Sequence, residues 1–184
     1  MTSQAARARE LFAATYASGA EPHVVVVPGR VNLIGEHIDY HGLPVLPIAL
    51  RQRVRVAFSV RTDRRIAARS ESYGAREFEW TDELEPVARG DWENYLRAAA
   101  RVARTFLPPE ARGIDAEIAS DLPAAAGLSS SSALIVAFTL GLLRANGYNP
   151  TFEELMEVLP DGEQFVGTRG GGMDHAASLG SRAG

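Results

Sequence analysis

The sequence predicts an α+β fold, and three observations carry that reading. Short β-branched or alternating runs recur at 23–27, 53–61 and 114–119. A helix-periodic segment follows Asp91, and an apolar helix follows a run of four serines. Strands and helices come in mixed order, without the strict alternation of a doubly wound sheet. The 184 residues amount to one ordinary domain or two small ones.

In chain order, Ala5–Tyr16 reads as an alanine-rich helix with Leu11, Phe12 and Tyr16 on its buried side. His23–Val27 is a compact β-branched strand that Pro28-Gly29 ends in a loop. Arg53–Arg61 alternates: Val54, Val56, Phe58 and Val60 point one way, and Arg53, Arg55, Ser59 and Arg61 form a solvated face. Arg65–Arg69 and Arg76–Trp80 read as a strand pair joined through Tyr73-Gly74. Asp91 caps a helix carrying Trp92, Tyr95, Leu96, Ala99, Val102, Ala103 and Phe106, stopped by Pro108-Pro109. Ile114–Ala119 is a strand, and Ala133–Ala145 a helix apolar nearly all round and therefore buried. Thr151 and Glu154 form a capping box for a last helix.

Composition excludes several classes of chemistry. There are 19 basic and 23 acidic residues, a net charge of −4, which disfavours non-specific nucleic-acid binding. Cysteine is absent, so disulfides, thiolate metal sites and cysteine nucleophiles are excluded. All 19 basic residues are arginine. That removes a Walker-A lysine, a kinase strand lysine and Schiff-base chemistry. Any phosphate must be held by backbone amides, arginines and a metal. No apolar run approaches the ~18–20 residues of a membrane span, and the N-terminus lacks a secretory signal. A soluble cytoplasmic protein with no membrane partner is the expectation.

Three segments carry chemistry. Residues 28–40 place Arg30, Glu36, His37 and Asp39 directly after a buried strand. Ionised carboxylates are pure acceptors and suit adjacent hydroxyls. A charged surface loop, or a metal site using His37 and Asp39, would need the same residues. Residues 122–133 run from Leu122-Pro123 through a small-residue loop, Ala125, Ala126, Gly127 and Leu128, into Ser129, Ser130, Ser131 and Ser132. Free amides at a helix N-terminus, with hydroxyls beside them, make an anion site that needs no lysine. The serines could also simply cap the helix. In the third segment, Gly170, Gly171 and Gly172 let the backbone approach a ligand and present Asp174 on a tight turn. A flexible loop with Asp174 as a helix cap is the alternative.

In this order, the three segments resemble the galactokinase branch of the GHMP kinases. Gly29-Arg30-Val31-Asn32-Leu33-Ile34-Gly35-Glu36-His37-Ile38-Asp39-Tyr40 is similar to the galactokinase signature. Residues 122–133 resemble the superfamily's nucleotide loop, and 167–175 the glycine-rich segment bearing the galactokinase aspartate. The resemblance spans roughly Glu21 to Leu179 and implies the ribosomal-protein-S5-domain-2-like fold. It implies an ATP-dependent kinase for the anomeric hydroxyl of galactose, using Mg²⁺. Arg30 would stabilise the transition state, and Asp174 would be the base or acceptor for that hydroxyl. Glu36, His37, Asp39 and the Gly171 backbone would hold the sugar. Ala125, Ala126, Gly127, Leu128, Ser129, Ser130 and Ser131 would wrap the phosphates, with Ser131 and Glu163 at Mg²⁺. Ser70 and Trp92 match positions near the nucleotide.

Several features depart from the family pattern. His41 and His175 replace the usual asparagine and glutamine. Ile38, the four-serine run and the 167–172 glycines lean toward N-acetylgalactosamine kinases. Pro160-Asp161-Gly162 is expected to interrupt the helix leading to Glu163. The third GHMP motif and the C-terminal domain are absent from residues 1–184, so the chain is expected to be inactive alone. Two alternatives remain: a kinase for N-acetylgalactosamine or another hexose, or a sugar- and ATP-binding sensor without turnover.

Overall fold

A computed structural model describes residues 2–16, 21–35, 38–123, 126–167 and 172–181. Glu36, His37, Ala125 and Gly171, all expected at the site, lie outside the described residues. The elements in order are α1 (Thr2–Thr15), β1 (His23–Asn32), a single 3₁₀ turn (Asp39–His41), β2 (Pro47–Val60), β3 (Arg65–Ser70) and β4 (Gly74–Glu79). They continue with α2 (Glu93–Arg104), β5 (Ile114–Ser120), α3 (Ser130–Ala145), α4 (Phe152–Phe165) and α5 (Met173–Gly180). The strands form one sheet in the order β1-β2-β5-β3-β4, antiparallel throughout except for the parallel pair β3 and β5. The α+β expectation is met.

The core lies between one sheet face and helices α2 and α3. Val25, Val27, Val54, Val56, Phe58, Ile66 and Ile118 meet Leu96, Ala99, Ile135, Val136 and Phe138 there. Helix α3 is buried on nearly every side, as its all-round apolar sequence requires. Thr151 and Glu154 form the reciprocal capping box at the start of α4. The N-cap position of α2 is Trp92, and Asp91, one residue earlier, accepts the Glu93 backbone N–H at 2.9 Å.

Three expectations need correction. β1 does not end at Pro28; it runs on to Asn32, with a register shift between Pro28 and Arg30. β1 is an edge strand, where a proline's missing N–H costs least, and the irregularity absorbs it. The arginine face of β2 is covered in the middle of the strand, while Arg53, Ser59 and Arg61 stay part-exposed. Ala8 and Phe12 of α1 pack on it against Ala57 and Ala119, and Arg55 is buried beside Asp121. Period two locates the faces of a strand but does not reveal that a distant helix covers the second one. Lastly, Pro160 does not interrupt α4, which passes through it to Phe165. Gly162 helps hold that last turn in place: a Cβ there would come within 3.1 Å of Val102 and 3.3 Å of Ile135.

Candidate active site

Four elements converge on one buried cluster. β1 supplies Arg30, α3 and the residue before it supply Ser129 and Ser132, α4 supplies Glu163, and α5 supplies Asp174. The Arg30 Nε donates to Asp174 Oδ1 at 2.6 Å, and its Nη1 donates to the Gly127 carbonyl at 2.9 Å. The Arg30 backbone N–H donates to the Leu128 carbonyl at 3.2 Å. The first and second segments are thereby bonded directly to each other. Gly29 makes this approach possible. A Cβ there would lie 2.4 Å from Leu122 and 2.7 Å from the Leu128 carbonyl oxygen.

Asp174 stands in the first turn of α5, not on an isolated turn. Gly172 precedes the helix at φ 89°, a left-handed conformation that glycine adopts without penalty. Ser178, farther along α5, donates to the Pro28 carbonyl at 3.0 Å and ties the helix to β1. Asp174 Oδ2 accepts the Ser129 hydroxyl at 2.5 Å. Among the described residues, Ser129 is the one non-glycine with positive φ, at 53°. Such backbone costs of order 1–3 kcal/mol and persists where the surroundings over-determine it, as the bond to Asp174 does here.

Glu163 is buried, and its carboxyl is pushed above the usual carboxylate range. Burial is the main cause, with the negative charges of Asp174 and Asp39 adding to it. The hydrogen bond with Ser132 and the charge of Arg30 act the other way. His175 is completely buried, with neither ring nitrogen hydrogen-bonded, and burial pushes it down to about 4. It is neutral in the folded protein near neutral pH.

Beside this cluster opens a cleft of about 780 Å³ lined by Ser70, Tyr73, Arg76, Trp92, Ser130 and Ser131, among others. Ser70 and Trp92, assigned near the nucleotide, therefore share a wall with two of the loop serines. The buried Trp92 indole N–H lacks a hydrogen-bond partner. Arg76 lies 5.8 Å over the Trp92 ring, held by Asp91 at 3.0 and 3.1 Å.

The serine run divides by helical phase. Ser130 and Ser131 line the cleft with Leu134, whereas Ser129 and Ser132 face the carboxylates. Ser132, to which the sequence reading gives no role, is the hydroxyl bonded to Glu163; Ser131, paired with Glu163 in that reading, is on the cleft wall. The i, i+3 spacing of Ser129 and Ser132 is the signal that would have found it.

Comparison with known proteins agrees with this geometry. The galactokinase galactose-binding signature matches residues 10–60, and the N-terminal domain of GHMP kinases matches residues 94–182. Galactokinase of Candida maltosa is 35% identical over 160 residues, which are 83% of this chain and 75% of that protein. The chain belongs to the galactokinase family. Galactokinase of Roseiflexus sp. (strain RS-1) is 40% identical over 177 residues, 95% of this chain and 44% of that one. The chain thus spans only 32–44% of the length of several galactokinases it matches. The crystal structure of Lactococcus lactis galactokinase complexed with galactose superposes with a TM-score of 0.84 at 28% identity, covering 94% of this chain and 45% of that one. Methanococcus jannaschii mevalonate kinase, at 16% identity and a TM-score of 0.76, shares the GHMP kinase fold. Among the described residues no helix is long and apolar enough to cross a membrane.

Proposed function

We propose that this member of the galactokinase family takes part in ATP-dependent phosphorylation of the anomeric hydroxyl of galactose, giving galactose 1-phosphate and ADP. The observation that carries the reading is the Arg30–Asp174 pair, bonded at 2.6 Å and tied through Gly127 and Leu128 to the small-residue loop. Phosphoryl transfer is mostly positioning and charge stabilisation, and this arrangement supplies both without lysine. Asp174 accepts the proton of the anomeric hydroxyl, whose oxygen bonds to the γ-phosphorus as the bond to the β-phosphate oxygen breaks. Arg30 offsets the charge on the equatorial oxygens. The first-turn amides of α3 take the phosphates, and Trp92 and Ser70 border the nucleotide. Asp39, with Glu36, His37 and the Gly171 backbone, holds the sugar hydroxyls.

The residues present also fit a magnesium ion. Among the described residues no group of three His, Asp or Glu side chains is placed to hold a metal, and the hard oxygens that would hold one come from Glu163 and the hydroxyl of Ser131 or Ser132. Mg²⁺ accepts such a site because phosphate and water complete its octahedron. Bound there, it would neutralise phosphate charge. A cytoplasmic location, where ATP is available, is part of this proposal. The part of the relatives' length that this chain does not span would supply the other wall of the cleft. Residues 1–184 alone are therefore expected to bind ATP weakly and phosphorylate no sugar.

An ADP-release assay on the gene product, with galactose, N-acetylgalactosamine and glucose in turn, tests the reading. ADP formed fastest with galactose is the expected result. Preference for the acetylated sugar would move the substrate, and ATP binding without ADP release from any sugar would make the protein a sensor. Robust turnover by residues 1–184 alone would overturn the two-wall account.

A further inference from the structure

Ser132 lies between the two acidic groups on which the proposed function depends. It is 1% exposed, and its Oγ is within hydrogen-bond distance of Glu163 Oε1 and, at 3.2 Å, of Asp174 Oδ2. A hydroxyl carries one proton, so it donates to one carboxylate oxygen at a time. Asp174 already receives Arg30 Nε on Oδ1 and the Ser129 hydroxyl on Oδ2, at 2.6 and 2.5 Å. Glu163 is buried beside His175, whose Nε2 is 3.7 Å from its Oε1. The Ser132 Oγ lies closer to Glu163 Oε1 than to Asp174 Oδ2, so its proton rests on Glu163 and remains within reach of Asp174. When Glu163 is engaged from the cleft side, the same proton is free to turn to Asp174.

We propose that Ser132 is a positioning residue, a single shared hydroxyl from α3 that holds Glu163 of α4 and Asp174 of α5 in a fixed relation. Its kinetic consequence rests on the proposed kinase reading; its structural consequence does not. The three side chains come from three separate helices, so one hydroxyl links the acidic groups of α4 and α5 at the site. A serine satisfying Glu163 alone would be coupled to Glu163 and indifferent to Asp174, and that difference can be measured.

The test is a pair of double-mutant cycles by urea unfolding of the chain, in the presence of a chelator: Ser132→Ala with Glu163→Gln, and Ser132→Ala with Asp174→Asn. Alanine is a good helix former and removes only the hydroxyl, so the single variant is expected to fold. Both cycles are expected to be non-additive, the midpoint of each double variant departing from the sum of the single shifts. Additivity in either cycle overturns the bridge. In the gene product with sugar-kinase activity, Ser132→Ala is expected to lower kcat roughly 10- to 100-fold, as misplacement of a reacting group does, with KM for both substrates unchanged. An unchanged kcat overturns the positioning role. If wild type shows no kinase activity, the proposed function falls and the two cycles alone decide on Ser132.

Discussion

Replacing His175 with leucine is expected to remove a specific acid sensitivity from the protein. The imidazole is fully buried, neither nitrogen has a hydrogen-bond partner, and burial holds it at about 4 against an ordinary value of 6.5. Below about pH 6.5 the unfolded chain takes up a proton that the folded chain refuses until about pH 4. Stability is therefore lost as pH falls through that window, and is unaffected above it. The gap corresponds to about 3 kcal/mol in full, at 1.36 kcal/mol per tenfold change in proton affinity. Between about pH 7.5 and pH 4.5 the part realised is about 2.5 kcal/mol. Glu163 and Glu117, both pushed up by burial, act in the opposite sense, since their contribution is lost as pH rises above the usual carboxylate range. They remain in the variant, so the difference between the two proteins isolates the imidazole. Urea unfolding of wild type and His175→Leu at the two pH values measures it. Wild type should lose about 2.5 kcal/mol more than the variant on acidification. At neutral pH the variant should be at least as stable, because two unpartnered buried nitrogens are gone. Parallel losses in the two proteins would refute the reasoning and mean that the folded state accepts the proton.

Other perturbations test the site directly. Asp174→Asn keeps the size and removes the basic oxygen, so kcat of the gene product should fall about 10²- to 10⁴-fold with ATP affinity little changed; activity within a few-fold of wild type would end the assignment. Asp39→Ala should weaken galactose binding in calorimetry and leave ATP binding intact, and the reverse pattern would move residues 28–40 to the nucleotide side. Trp92→Leu should weaken ATP binding, because the cleft loses an aromatic wall and a buried N–H donor without a protein partner; unchanged affinity would separate this cleft from the nucleotide. Gly29→Ala drives a methyl to within 2.7 Å of the Leu128 carbonyl oxygen and should displace the loop from Arg30. A loss of about 1–3 kcal/mol in unfolding experiments, typical of overpacking, is expected.

Much of this molecule was legible in the sequence because the signals are local. Val54, Val56 and Phe58 alternate along a strand, and Thr151 and Glu154 form a capping box, so chain-neighbour geometry alone located β2 and the start of α4. The order of the three glycine-bearing segments pointed to the family, and the absence of lysine left phosphate to amides and arginine. Tertiary structure decided what depends on contacts between distant residues. Whether the arginine face of β2 meets water depended on α1, which is separated from it by the whole of β1 and packs back onto it. Whether Pro160 broke α4 depended on the packing that holds the turn beyond it, not on proline's own preference. The four serines look alike in the sequence, and only the start of α3 at Ser130 gives them a phase, sending Ser130 and Ser131 to the cleft and Ser129 and Ser132 to the carboxylates. Arg30 and Asp174 are separated by 144 positions, and no local rule measures a distance across such a loop. Their 2.6 Å contact exists because β1 and α5 are packed together by the core, with Ser178 bonded to Pro28 beside them.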